Sequence, residues 1–262
     1  MREVTNPLIP SDGVYHLSAH KLNMMKNCPF SAYLYLAHFE GGESDDSWAK
    51  CGSAVHDFAE DSAKGCAQEP EYYLEKWKVP PINDKGFDLH KRFYTCIENV
   101  PKFAKAGGVP ELTEYTEFTT PKGRKVSLQT RIDLQIENSN LPEAKGKVVV
   151  DYKTGKDVKK DEYYLQARCY MFAKGGEYKA LFYSLLNGNY FLLETLPKGY
   201  IEKVCDEYID HIENRDFERT PNSMCSTFCP YYTCYCAPNV YFNQLIPNEK
   251  KKEDDNDDTD QA

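Results

Sequence analysis

Three residues of this 262-residue chain stand where charge is costly: Asp133, Asp151 and Lys153. Asp133 sits in the alternating run Arg131-Ile132-Asp133-Leu134, and Asp151 ends the run Val148-Val149-Val150 with Lys153 two residues on. In a strand, successive side chains point to opposite faces, so Asp151 and Lys153 share one face and Tyr152 turns away. A carboxylate in such surroundings is destabilising unless a cation or hydrogen-bond donors meet it. A hard divalent metal is one answer: Mg²⁺ keeps several waters and suits two carboxylates, one carbonyl and a phosphate oxygen. The lysine adds a compact charge that can hold an attacking water or offset charge on a phosphate. The chemistry of such a set is metal-assisted hydrolysis. An isolated D-x-K is an ordinary strand-end ion pair, so the weight falls on what surrounds it.

What surrounds it is ordered. A helix with Gly52-Ser53-Ala54-Val55-His56 comes first, then the strand with Asp133, then Val150-Asp151-Tyr152-Lys153-Thr154-Gly155, then a helix with Gln166 and Tyr170. In this arrangement the chain resembles the PD-(D/E)xK nucleases, specifically the RecB-like branch that includes the AddB nuclease domain and the CRISPR-associated iron–sulfur exonucleases. The resemblance runs from about Ser18 to Cys236. It implies an α/β fold with a restriction-endonuclease-like core, a central mixed sheet flanked by helices, preceded by an N-terminal helical lobe and followed by a cysteine cluster. It implies that His56, Asp133 and Asp151 bind Mg²⁺ or Mn²⁺, with the Tyr152 carbonyl completing the shell, and that Lys153 assists the nucleophilic water. Gln166 and Tyr170 match the family's Q-x3-Y beside the active site, and Arg131 and Lys156 are expected to support DNA. A further acid is sought on the preceding strand, where Glu114 and Glu117 take opposite faces. Glu117 is the weaker candidate added to the set, with a solvent-facing role as its equal alternative.

Cysteines form a second constellation. Cys225, Cys229, Cys234 and Cys236 crowd into MCSTFCPYYTCYC, and Cys28 stands before Pro29. Four thiolates hold either Zn²⁺ or a [4Fe–4S] cluster, and spacing alone does not choose. The resemblance implies the cluster, with one cysteine before the core and three after it: Cys28, Cys225, Cys229 and Cys236, with Cys234 as alternative fourth ligand. Cys51, Cys66, Cys96, Cys169 and Cys205 are expected as small core hydrophobes.

The elements that must position these residues follow from periodicity. Ser18 reads as the cap of a helix over AHKLNMMKN, and helical spacing continues through FSAYLYLAHF and WAKCGSAVHDFAEDSAKG, so the first 107 residues are expected to be helical from their start. The period then shifts to two: 111–121, 125–137 and 147–155 are strand candidates, the third buried on both faces. A helix, two strands and a helix to about Arg215 complete the pattern. The expected divisions are 1–107, a nuclease core at 108–220, a cysteine region at 221–248 and a disordered acidic tail at 249–262.

Composition sets the class. Hydrophobic residues at 41% and charged residues at 28% describe a globular chain. No apolar run is long enough to span a membrane and no secretory h-region is visible, so the expected location is the cytoplasm, a host's if the chain is phage-encoded. The net charge of −9 argues against a simple basic nucleic-acid binder. Locally, however, residues 122–160 carry ten basic residues against five acids, which makes that segment the candidate polyanion face. Tyr33, Tyr35, Tyr163 and Tyr164 are candidate stacking surfaces for unpaired bases. No G-x4-G-K-[ST] motor motif is present, so unwinding is expected from a helicase or recombination protein in trans. The leading expectation is a metal-dependent DNA exonuclease acting on single strands or duplex ends in recombination, repair or phage DNA processing. The alternatives are a noncatalytic DNA-end or partner-binding module and a structure-specific endonuclease.

Overall fold

The valine run at 148–150 lies at the centre of the sheet. The computed structural model describes residues 8–41, 45–158, 161–221, 225 and 229–236, so the acidic tail lies outside the described residues. The elements in chain order are β1 (Val14–Ser18), α1 (Ala19–Asn27), α2 (Pro29–Leu36), α3 (Ser47–Lys64), α4 (Pro70–Lys76), α5 (Leu89–Ile97), α6 (Pro101–Ala106), β2 (Val109–Thr119), β3 (Lys125–Asn140), β4 (Lys145–Lys153), α7 (Asp161–Ala173), β5 (Lys179–Ser184), β6 (Tyr190–Leu193) and α8 (Tyr200–Asn214). Strand order is β1-β3-β4-β5-β6, with β2 paired to β3. Sixteen residues long, β3 holds antiparallel β2 along one edge; along the other it holds parallel β1 and then antiparallel β4. β4 and β5 run parallel, with α7 between them in the chain, and β6 is antiparallel to β5. This is the mixed sheet flanked by helices of a restriction-endonuclease-like core.

Alternation on β4 divides the interior. Val148, Val150 and Tyr152 pack with Phe93 and Phe103 under the helices α3 to α6, whereas Val149 joins Ala167, Tyr170 and Met171 of α7 on the other face. Each such apolar side chain contributes roughly 1.5–3 kcal/mol on burial, which anchors β4 from both sides. A third cluster joins Tyr15 and Leu17 of β1 to Val126 and Leu128 of β3 and to Leu165, Ile201 and Ile209 of α7 and α8.

The start of the chain differs from expectation. Ser18 does cap α1, accepting from the Lys21 amide at 3.4 Å, but the residues before it form β1, which pairs in parallel with β3 from Val14 opposite Lys125 to Ser18 opposite Gln129. Five residues are too few to show a period, and their partner lies far along the chain. Among the expected core cysteines, Cys51, Cys96, Cys169 and Cys205 are buried. Cys66 is instead exposed, because α3 ends at the left-handed Gly65 and turns it outward, 3.8 Å from Asp61 Oδ1.

Candidate active site

Five elements bring their side chains to one cavity of about 390 Å³ at the end of β4: His56 from α3, Glu111 from β2, Asp133 from β3, and Asp151 and Lys153 from β4 itself, with Gln166 and Tyr170 from α7. The helix α3 buries Cys51, Ala54, Val55 and Ala59 against the core, which leaves His56 on its shoulder. His56 Nδ1 stands 3.2 Å from Asp133 Oδ1. The other Asp133 oxygen, Oδ2, accepts from the Tyr152 amide at 2.6 Å. Tyr152 thus meets Asp133 through its N–H.

Strand alternation places Asp151 and Lys153 together, with Nζ 2.6 Å from Oδ2. Asp151 Oδ1 accepts from Gln166 Nε2 and from the Tyr170 hydroxyl, both at 2.9 Å. Gln166 Oε1 in turn accepts from Lys153 Nζ at 3.2 Å. The Q-x3-Y spacing puts Gln166 and Tyr170 one above the other on α7, so one helix face fixes both the carboxylate and the ammonium. Lys153 also lies over the Tyr163 ring, 4.5 Å from its centre.

Glu111 is the acid that the sequence reading missed. Its carboxylate, His56 and Asp133 present ligand atoms that all lie within 4.8 Å of one another. Glu117, the residue expected in this role, is exposed on β2 opposite Ser127, and Glu114 pairs with Lys174 at 2.5 Å. The signal was in the register: counting back from the Thr119–Lys125 pair brings position 111 to the level of Asp133. Glu111 has φ +48, a backbone region costly for any residue but glycine. Such conformations persist only where the surroundings enforce them, and they gather at functional sites. Here Gly108 lies so close to β3 that a Cβ would meet Gln135 O at 2.4 Å, and Arg131 Nε holds the Glu111 carboxylate at 2.5 Å.

Burial and neighbours set the charges. Burial opposes protonation of His56, but the Asp133 carboxylate outweighs it and pushes the imidazole up to about 9. Burial raises Asp133 too, yet the facing imidazole and the Tyr152 amide hold it below the ordinary carboxylate value. Asp151 moves the other way, raised by burial against the pull of Lys153. An imidazolium facing carboxylates marks the place a cation would take, with loss of that proton on binding. The donor set fits a hard divalent ion: oxygen-rich, with one imidazole, and with Asp151 Oδ2 buried and lacking a well-directed hydrogen bond despite its close ammonium.

Other expected residues are placed elsewhere. Arg131 lines the cavity mouth; Lys156 is exposed outside it, its carbonyl accepting from Asn187 Nδ2 at 3.0 Å. The basic run at 122–160 is not one polyanion face. Lys122, Arg124, Arg131 and Lys147 are ion-paired to acids from other parts of the chain, Lys153 is paired to Asp151 of its own strand, and Lys159 and Lys160 lie outside the described residues. The expected stacking tyrosines are also engaged: Tyr164 stacks on Phe191 at 4.7 Å, Tyr163 on Phe182 at 5.8 Å, and Tyr33 packs on Phe217 at 4.8 Å, while Tyr35 meets His20 edge-on.

Away from this cavity, Cys28, Cys225, Cys229 and Cys236 line another of about 620 Å³, in which Cys234 takes no part. Burial raises the Cys236 thiol, and the neighbouring Cys229, Cys28 and Cys225 add to the shift against the pull of Arg219. No three of these sulfurs lie within 4.8 Å of one another.

Comparison with known proteins bears on the geometry above. No curated protein matches the chain. Among solved structures, the crystal structure of SSO0001 is similar at 10% identity and a TM-score of 0.45, over 84% of this chain and 85% of that one. The family model described as "PD-(D/E)XK nuclease superfamily" matches residues 16–236, which include His56, Glu111, Asp133, Asp151, Lys153, Gln166 and Tyr170. With nearly the whole described chain inside that match, this protein belongs to the PD-(D/E)XK nuclease superfamily.

Proposed function

We propose that the chain is a RecB-like, Mg²⁺- or Mn²⁺-dependent deoxyribonuclease that removes nucleotides from single strands or duplex ends, in recombination, repair or phage DNA processing in the cytoplasm. One observation carries this reading: the Asp151–Lys153 pair and the His56–Glu111–Asp133 group share a single cavity. His56, Glu111, Asp133 and Asp151 would hold the ion, which when bound polarises the phosphodiester and lowers the pKa of water. Lys153, fixed by Asp151 and Gln166, orients the attacking water and offsets charge on the phosphate. Gln166 and Tyr170 keep the Asp151 carboxylate in one orientation. Arg131 meets Glu111 through Nε and its side chain is 67% exposed, which leaves its outer donors to reach a phosphate. Unwinding falls to a helicase or recombination protein in trans.

The proposal includes a [4Fe–4S] cluster on Cys28, Cys225, Cys229 and Cys236, clamping the start of the chain to its end. What supports it is that these four cysteines line one cavity of about 620 Å³; a single Zn²⁺ on C-terminal thiolates is the alternative. Anaerobically purified protein incubated with end-labelled single- and double-stranded DNA tests the enzyme reading: Mg²⁺ or Mn²⁺ should release label as short products from the ends, and chelator should stop it. Intact DNA under all conditions would overturn it.

A further inference from the structure

The helical lobe carries an apolar surface that the catalytic reading leaves unused. Ile82 and Phe87, in the turn between α4 and α5, are 61% and 53% exposed. The turn is braced. Buried Asn83 accepts through Oδ1 from the amides of Lys85 and Phe87 at 3.1 and 2.9 Å, its own amide donates to Phe87 O at 3.0 Å, and Ile82 bridges to Asp88. Large apolar side chains held outward by an ordered turn mark a contact surface.

Its position says what it contacts. The Phe87 ring lies 5.2 Å from Trp48, and the Arg92 guanidinium covers Trp48 at 4.7 Å. Trp48 opens α3 beside Ala49 and one turn before Gly52, both of which line the catalytic cavity. His56 follows two turns on, about 12 Å along the axis, a reach of a few nucleotides. Arg92 also donates to the carbonyl of Thr154, the residue after Lys153. The aromatic patch is therefore joined to the cavity through α3 and through Arg92.

We propose that exposed Phe87 and Ile82, backed by Trp48, form a stacking platform for an unpaired nucleobase of the strand whose phosphate lies at Asp151, so that the lobe selects single-stranded nucleic acid. This rests on the nuclease reading. Charge does not oppose a nucleic-acid strand: over residues 45–50 and 78–92, Lys50, Lys78, Lys85, Lys91 and Arg92 slightly outnumber Asp45, Asp46, Asp84 and Asp88. Stacking on an aromatic face needs no charge and accepts any base, but a paired base offers no free face.

The test compares the full chain with its Phe87→Ala and Ile82→Ala/Phe87→Ala variants, all purified anaerobically. Binding of fluorescent oligothymidine and of an abasic strand of equal length is read by anisotropy in chelator, and cleavage is read with Mn²⁺. The wild type should prefer oligothymidine about ten-fold, and the variants should lose that preference. The cleavage defect should fall on KM for single strands and not on kcat, with a smaller change on blunt duplex. Variants that keep the ten-fold preference overturn the platform while wild-type cleavage leaves the nuclease reading standing, and the patch then belongs to a protein partner. Equal losses on single strands and duplex with a lowered Tm also overturn it, as a packing role. Wild type that neither binds nor cleaves DNA removes both readings.

Discussion

At the residue scale, the acids around His56 divide by register. Glu111 falls between the Pro110–Leu134 and Leu112–Ile132 pairs, at the level of Asp133, whereas Glu117 lies opposite Ser127 and faces solvent. Glu111→Gln keeps size and polarity but removes a charge from the ligand group, so it should weaken Mn²⁺ activation about ten-fold. Glu117→Gln should change nothing. Titrating activity with Mn²⁺ measures both, and equal responses would contradict the assignment. Asp133, Asp151, Lys153, Gln166 and Tyr170 were legible because each sits in a short local pattern. Glu111 was not, because its place follows from counting a hairpin register and from a positive φ that no local pattern announces.

At the element scale, α8 is fastened to the start of β3 by charge. Arg124 donates to Asp206 Oδ1 at 3.0 Å and to Asp210 and Glu213 at 2.6 Å each, with its own side chain 14% exposed. Removing one partner of a buried ion pair is strongly destabilising, so Arg124→Ala should cost about 3 kcal/mol in urea unfolding. Lys122 and Arg124 hold Asp210 below its ordinary 3.8, and Arg124 holds Glu213 below its ordinary 4.5. A depressed carboxylate contributes stability that is complete above its unfolded value and is lost as pH falls through the folded one. The gap between wild type and Arg124→Ala should therefore narrow below about pH 4; a constant gap from pH 7 to 3 would contradict the clamp. The same clamp hid from the sequence, since the acids that neutralise Lys122 and Arg124 arrive from α8, some eighty residues later. The amphipathic α3 and the doubly buried β4 were legible because their periods are local, whereas β1 needed its distant partner to be seen.

At the scale of the whole molecule, one end of the chain meets the other at the cysteine cavity. A cluster on Cys28, Cys225, Cys229 and Cys236 would close a loop of about two hundred residues, whose entropy in the unfolded chain is large. Anaerobic protein should be brown, with iron and sulfide each near four per chain. Cys28→Ser should bleach it and lower Tm, while Cys234→Ser keeps the colour. Colourless protein with one zinc would contradict the cluster. The most direct test of the central claim is cleavage of end-labelled single-stranded DNA with Mn²⁺ by wild type, Asp151→Asn and Lys153→Ala side by side. Asp151→Asn should lose detectable cleavage and Lys153→Ala should fall about 10²–10⁴-fold in kcat, with DNA binding retained. Full Mn²⁺-dependent activity in Asp151→Asn would contradict the assignment of this cavity as the active site.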